Sequence, residues 1–450
     1  MNDTIAAISS GSRINQPISI IRLAGPRTLD IIRKIFKGKI GSDHTITYGY
    51  IYDGQYLIDE VLVMWFLGFK EGDKIIYNNY VGEPIIEINC HGGIVVTNKI
   101  LELLLSNGAR MAEPGEFTRR AFLNGKLDLI KAEAIHDLIM SKTITQVKAS
   151  VNRFKGKTSD LIDKFINKIS LIIGMAEVNI DYPEYDGVEQ FTNNKMLDVI
   201  IDLEKKLSEI IKISEDSRYI FEGVRVCILG KPNVGKSSIL NALLSEEKAI
   251  VTDIAGTTRD LVEASYQING ILFKLVDTAG LRNTIEKIEK IGIKRSIEQI
   301  AKSDLIIHVV DPTQEDDEYD ELIASEAKKE MKFYLKVHNK SDLIKTKNIN
   351  GIYVSALNSD IKELEDALIE NFKDIDIMDE RIFSNTRQLS LIKNAFNSIK
   401  EAKNSLNNNQ TFDVIMIDLY DAWDALQNIK GNANREDLLD VMFQNFCLGK

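Results

Sequence analysis

Gly230-Lys231-Pro232-Asn233-Val234-Gly235-Lys236-Ser237 is the stretch that decides the fold. It fits G-x-x-x-x-G-K-[ST], the pattern of a phosphate-binding loop. Before it, Val224 to Leu229 is a short apolar run that reads as a buried strand; after it, Ser238 to Leu244 reads as a helix. Strand, glycine loop and helix together aim backbone N–H groups at phosphate oxygens. Asn233, Val234, Gly235, Lys236, Ser237 and Ser238 form the candidate cradle. Lys236 would reach the outer phosphates, and the Ser237 hydroxyl would hold magnesium.

Three further motifs follow in order, each after a strand-like run. Asp277-Thr278-Ala279-Gly280 follows Ile271 to Val276. A carboxylate at that strand end would hold magnesium through water, and the Gly280 N–H would sense the third phosphate. Asn339-Lys340-Ser341-Asp342 fits N-K-x-D. The Asp342 carboxylate can accept two hydrogen bonds side by side, and guanine offers that donor pair where adenine does not. Lys340 would lay its stem along the base, and Ser355-Ala356-Leu357 would close over it. The set predicts a GTP-binding domain. Ras-like enzymes place a glutamine just after Asp-x-x-Gly to orient the attacking water. Here that position is Leu281, which cannot do so.

Outward from this domain, 450 residues leave room for two or three domains. A hydrophobic content of 44% and a charged content of 27% are those of a globular protein. The net charge of -11 gives no global sign of a nucleic-acid binder, although 56 Lys and Arg leave room for a local basic surface. Cys90, Cys227 and Cys447 show neither metal-ligand spacing nor a disulfide framework, which fits a reducing, cytoplasmic setting. The polar start predicts no signal peptide, and no apolar run approaches the ~20 residues of a membrane span.

The first part of the chain reads as mixed α/β. Thr4 to Ile8, Ile18 to Leu23, Tyr56 to Phe66 and Ile85 to Cys90 read as strands, Leu29 to Phe36 and Ile94 to Asn107 as helices. Glu113 to Lys126 reads only as loops between elements, and His91, before Gly92-Gly93, as a hydrogen-bonded loop histidine. From Lys126 to about Ser217 apolar residues recur at helical spacing, interrupted at Asn179 to Thr192, which Pro183, Gly187 and its acids mark as a loop. Strands alternate with helices from about Phe221 to Phe372. Helical spacing then returns at Gln388 to Leu406, Asp413 to Ile429 and Arg435 to Phe446. The predicted fold class is multidomain α/β plus α: an N-terminal α/β domain over 1–120, and a helical domain (121–217 and 376–450) split by an inserted Ras-like P-loop domain over 218–375.

Several stretches go beyond these patterns: Tyr80-Val81-Gly82-Glu83, Glu87-Ile88-Asn89-Cys90-His91-Gly92-Gly93, Glu113 to Lys126, Thr252-Asp253-Ile254-Ala255-Gly256-Thr257-Thr258-Arg259-Asp260, Glu436-Asp437-Leu438-Leu439-Asp440 and the final Cys447-Leu448-Gly449-Lys450. With them the whole chain resembles the MnmE (TrmE) family of tRNA-modification GTPases. The resemblance implies an N-terminal domain that forms a homodimer and binds a folate one-carbon donor, with contacts from Arg22, Glu83, Lys126 and Lys450. One departure stands in the loop before the second strand. Ser10 to Pro17 has a single glycine, Gly11, where the family is glycine-rich, which weakens the case for backbone contacts to folate there.

For the nucleotide domain the resemblance implies potassium in place of an arginine finger, held by Asn233, by the carbonyls of Thr252 and Ile254, and by Thr257. Oxygen-only ligation suits a hard monovalent ion. Thr258 is then the magnesium-binding switch threonine, with Thr257 the alternative. The water-orienting role falls to Glu289, twelve residues beyond Asp277; its spacing alone reads as a solvated charge on an amphipathic helix bearing Ile285, Ile288 and Ile291. Cys447 reads from its surroundings as a structural thiol, and the resemblance instead sets it near the modification chemistry, whether as nucleophile, acid or positioning group. The implied partners are tRNA and the flavoprotein MnmG (GidA), the implied product a carboxymethylaminomethyl or aminomethyl group on carbon 5 of the wobble uridine. Two alternatives stand beside this: a ribosome-assembly GTPase, which the terminal C-x-G-K and the lack of an RNA-binding module argue against, and a regulatory switch without modification chemistry.

Overall fold

The structure is a computed structural model that describes residues 3–10, 15–181, 188–244, 264–276, 289–344, 351–373, 376, 378–431, 443, 446 and 449. The chain divides into two compact units, Met1–His136 with Asp424–Lys450, and Asp137–Trp423. Among the described residues no helix is long and apolar enough to cross a membrane.

The first unit is built on a seven-stranded sheet. In chain order its strands are β1 (Ile5–Ile8), β2 (Ile18–Ala24), β3 (Phe36–Gly38), β4 (Thr45–Asp53), β5 (Tyr56–Phe66), β8 (Ile85–His91) and β9 (Arg110–Met111); the short β6 (Phe69–Glu71) and β7 (Lys74–Ile76) form a separate hairpin. Across the sheet the order is β3-β4-β5-β8-β2-β1-β9, antiparallel throughout except between β1 and β9. Side chains alternate between its faces. Ile21, Leu23, Ile86, Ile88, Val61, Val63 and Trp65 pack with helices α1 (Thr28–Ile35) and α2 (Ile94–Ser106) in one core. The alternate residues Arg22 and Glu87, paired in register, fall on the opposite face. There a smaller core of Ile5, Ala7, Val81, Ile85 and Phe117 supports them.

Two sequence expectations are corrected here and in the second unit. Glu113 to Lys126 is not loop throughout: Glu116–Leu123 is helix α3, entered through Gly115 at φ 68, with Phe117 and Ala121 buried. Its polar composition hid an amphipathic turn pattern. Likewise, part of the segment read as a loop at Asn179 to Thr192 is helical, since one helix runs to Asp181 and the next begins at Val188. Acidic and amide residues cost a helix only about half a kcal/mol each, so the packing of Ile169, Ile172 and Ala176 carries the helix past them.

The second unit contains a six-stranded sheet in the order β11-β12-β10-β13-β14-β15. These strands are β10 (Val224–Leu229), β11 (Ser265–Ile268), β12 (Ile271–Leu275), β13 (Leu305–Val310), β14 (Phe333–His338) and β15 (Ile352–Tyr353). Only β11 and β12 pair antiparallel; the rest are parallel. Buried on both faces, β10 and β13 read as unbroken apolar runs save for Arg225 and His308. The helices Lys157–Asp181, Val188–Glu222 and Thr386–Asn407 belong to the same unit. The 35-residue Val188–Glu222 helix leads through Gly223 straight into β10. Its last turn is held by Gln146, whose amide Nε2 donates to the carbonyls of Ile220 (3.0 Å) and Phe221 (3.1 Å).

Candidate functional site

Three of the four motifs meet at the carboxyl ends of the parallel strands, where open α/β sheets bind ligands. Strand β10 runs into Gly230, whose φ of 144 and closeness to Val309 exclude a side chain: a Cβ would stand 2.2 Å from the Val309 carbonyl oxygen. The chain then curls through Asn233 (φ 64) and Gly235 (φ 97) into a helix that starts at Lys236. The Lys236 ammonium donates to the carbonyls of Gly230 (2.8 Å) and Lys231 (2.6 Å), so the loop closes around it. Burial lowers its pKa from the ordinary lysine value. Ser237 and Ser238 are exposed on the first helical turn. With the exposed Asn233 they offer hard oxygen donors, the set that suits magnesium and potassium.

Asn339 joins this loop to the Ser355-Ala356-Leu357 segment. It is buried, at 3% exposure, just past the end of β14. Its Nδ2 donates to the Val234 carbonyl at 2.9 Å, and its Oδ1 accepts the Ala356 N–H at 3.1 Å. The same amide makes Gly235 obligatory, because a Cβ there would lie 2.1 Å from Asn339 Nδ2. Lys340 takes a left-handed backbone, φ 62, and its ammonium donates to Asp311 Oδ2 at 2.7 Å. Burial pushes the Asp311 carboxyl up, but bonds from Lys340 and Thr313 outweigh it and leave it below the ordinary range. The Ser355 hydroxyl donates to Asp342 Oδ1 at 2.6 Å, and Leu357 stands 86% exposed beside them. The structure therefore brings Asn233 to Ser238, Asn339, Lys340, Asp342, Ser355, Ala356 and Leu357 to one edge of the sheet.

Thr252, Asp253, Ile254, Ala255, Gly256, Thr257, Thr258, Asp277, Thr278, Ala279, Gly280 and Leu281 lie outside the described residues. Glu289 opens the helix Glu289–Lys302; its side chain lies outside them as well. Asp311 was missed in the sequence. The available signal was an acid placed directly after an apolar strand, followed by Pro312-Thr313.

In the first unit, Arg22 donates from Nε (2.8 Å) and Nη2 (2.7 Å) to Glu87 Oε1. Its Nη1 donates to the Gly449 carbonyl at 3.0 Å, and the Ser9 hydroxyl donates to the same oxygen at 3.1 Å. Nearby, Phe443 packs on Leu129 and Ala132, and Phe446 stacks on His136 at 4.7 Å. Cys447 and Lys450 themselves lie outside the described residues. Glu83 accepts from the buried Arg120 at 3.1 Å, with burial raising its pKa, and Lys126 donates to the Tyr77 carbonyl. Arg22 lies 5.9 Å from the Tyr80 ring, so of the four candidate folate residues Arg22 and Lys126 border the segment 77–83, which ends in Glu83. His91, at the end of β8, holds Asp59 Oδ1 at 2.6 Å, the bonded histidine its sequence context predicts.

Comparison with known proteins covers the same ground. Residues 4–126 match the family described as "GTP-binding protein TrmE N-terminus", and residues 129–447 match "MnmE helical domain". The chain is 54% identical to the tRNA modification GTPase MnmE of Mycoplasmopsis pulmonis, over 100% of both chains. It is 41% identical to that of Lactococcus lactis, over 100% of this chain and 98% of the other. Among solved structures it is similar to the G domain of the T. maritima FeoB iron transporter, with 22% identity over 33% of this chain and 98% of that one, at a TM-score of 0.25 that adds nothing to the strand order. Domain matches over residues 4–126 and 129–447, the second spanning the nucleotide site, and 41–54% identity to relatives along the whole chain lead to one conclusion: the chain belongs to the MnmE family.

Proposed function

We propose that the chain is a potassium-stimulated GTP hydrolase that works with a flavoprotein of the MnmG (GidA) type to modify carbon 5 of the wobble uridine of certain tRNAs, using a folate one-carbon unit. The loop N–H groups and Lys236 hold the phosphates, while Asp342 selects guanine. Ser237 and Thr258 would hold magnesium, and Asn233, Thr252, Ile254 and Thr257 potassium; these cations supply charge neutralisation at the phosphates. Glu289 orients the attacking water, the task Leu281 cannot perform. Two copies face each other through their nucleotide domains in this reading, and hydrolysis reopens them.

The observation that supports modification chemistry over a bare switch is the hydrogen bond from Arg22 to the Gly449 carbonyl. It ties the terminal C-x-G-K, with its thiol at Cys447, to the arginine assigned to folate. The test is nucleoside analysis of tRNA from a deletion strain with and without this gene, paired with GTPase rates in potassium and sodium at equal ionic strength. Restored modified uridine and a faster rate in potassium are expected. Unchanged nucleosides would favour a ribosome-assembly or regulatory GTPase, and equal rates in the two salts would remove the potassium assignment.

A further inference from the structure

Strand β13 reads Leu-Ile-Ile-His-Val-Val, and every one of its residues is buried. One polar residue stands among five hydrophobes. A hydrophobe at His308 would avoid the cost of burying two polar nitrogens, so the interactions those nitrogens make need a reason. Nδ1 lies 2.7 Å from the Tyr334 hydroxyl, and Nε2 lies 3.0 Å from Asp320 Oδ1. Asp320 is buried on the helix Glu318–Lys329. Its other oxygen, Oδ2, pairs with the Lys231 ammonium at 2.7 Å and accepts the Asp317 N–H at 3.1 Å. Lys231 is the second residue of the phosphate loop. Its ammonium also reaches the Glu315 carbonyl (3.0 Å) and Asp317 (3.1 Å), and its own carbonyl carries Lys236 Nζ at 2.6 Å.

The direction of each bond follows from chemistry. Burial pushes the Asp320 carboxyl up, but Lys231, the Asp317 N–H and His308 outweigh it, and the group is held ionised below the ordinary range. A carboxylate only accepts, so Nε2 must carry the proton. Burial lowers the His308 pKa and keeps the ring neutral, which leaves Nδ1 to accept from Tyr334. A single hydrogen-bonded chain results: Tyr334 donates to His308, and His308 and the loop's Lys231 both donate to Asp320. The backbone adds a second link, since His308 pairs in register with Leu229, the residue before Gly230.

We propose that His308 is a positioning residue for the phosphate loop: it orients Asp320, which holds the Lys231 side chain and with it the carbonyl on which Lys236 rests. This rests on the loop's binding a guanine nucleotide. Loss of the relay frees the first half of the loop and lets bound nucleotide escape faster.

The test is dissociation of a fluorescent GDP analogue from the full-length chain, by stopped flow, in a double-mutant cycle with thermal unfolding in parallel. His308→Phe is expected to raise the dissociation rate about tenfold, in line with one charge-assisted hydrogen bond weakened. His308→Gln, which returns an N–H donor at the Nε2 position, is expected to stay within about twofold of wild type, a rescue that a purely structural role would not produce. In a Lys231→Met background, His308→Phe is expected to add less than about twofold, because the relay then has nothing to hold. Should His308→Phe not fold, Asp320→Asn, which keeps the volume, takes its place in the cycle with the same expected outcomes. Equal factors in the two backgrounds, or no rise in either, would overturn the relay. A wild-type chain that binds no guanine nucleotide would instead overturn the nucleotide reading beneath it.

Discussion

Asn339→Ala removes a side chain that ties the phosphate loop to the Ser355-Ala356-Leu357 loop. Two bonds go: Nδ2 to the Val234 carbonyl at 2.9 Å, fully buried, and the Ala356 N–H to Oδ1 at 3.1 Å, partly buried. Leaving the Val234 carbonyl without this partner costs about 1–3 kcal/mol, and the half-buried Ala356 N–H, which water can reach, adds about 1 kcal/mol. A total of about 2–4 kcal/mol converts to a GDP affinity about 30-fold to several hundredfold weaker. Direct loss of a base contact would also weaken binding, so affinity alone does not isolate the tie. Hydrogen exchange on the nucleotide-free protein does. The Ala356 amide is expected to lose protection in the variant, before any base is present. Asn339→Asp sharpens the case: it keeps the acceptor for Ala356 but sets a carboxylate oxygen against the Val234 carbonyl, so it should bind nucleotide no better than the alanine variant. An Asn339→Ala protein with unaltered exchange at Ala356 and an affinity within about threefold of wild type would refute the reasoning.

Three other outcomes are expected. Gly115→Ala puts a Cβ 2.5 Å from the Phe443 carbonyl oxygen and 2.7 Å from Phe446 Cβ, at φ 68. The left-handed backbone alone costs about 1–2 kcal/mol, so limited proteolysis should cut the end of the chain faster, and unchanged cleavage would count against the seating of that segment. Acid should weaken the first unit through Glu116. Burial pushes this carboxyl up, but Arg110, the Glu113 N–H and Arg120 outweigh it and hold its pKa below the ordinary 4.5. The contribution is thus full above the unfolded value and lost as pH falls through the lower folded one. Urea midpoints followed by Trp65 fluorescence in a Trp423→Phe background should fall less steeply below about pH 4.5 in Glu116→Gln, and identical acid limbs would exclude Glu116 as the cause. Finally, Glu289→Ala should slow GTP hydrolysis while nucleotide affinity stays near wild type; normal turnover would remove Glu289 from the mechanism.

Much of the fold was legible because its signals are local. Val224–Leu229 and Ile85–His91 declared themselves by apolar runs, and the helices Ile94–Ser106 and Thr386–Asn407 by period, each within a residue or two of the observed bounds. Thr45–Asp53 went unread as a strand although it alternates, its outward face carrying Ile46, Tyr48 and Tyr50, so that neither face looks polar. Helix α3 was lost for the opposite reason: Glu116, Thr118 and Arg120 look solvated in the sequence and are buried in the structure. Their burial depends on partners elsewhere, with Arg120 bonded to Asp3, Glu83 and Glu116.

The same divide runs through the site. Residue spacing alone led to the expectations that a phosphate loop follows a buried strand, that guanine is read by Asn339 to Asp342, and that Leu281 leaves the attacking water to another group. Those are properties of short windows, set by backbone sterics, hydrophobic period and the donor pattern of one base. Only the tertiary structure decided that Asn339 clasps a carbonyl 105 residues away, that Lys340 pairs with Asp311, and that a histidine in an apolar strand reaches the loop through Asp320. Such pairings depend on strand register and on which buried polar groups lack a nearer partner. Both are settled when distant segments pack together, because a buried donor or acceptor must find its complement wherever the fold brings one.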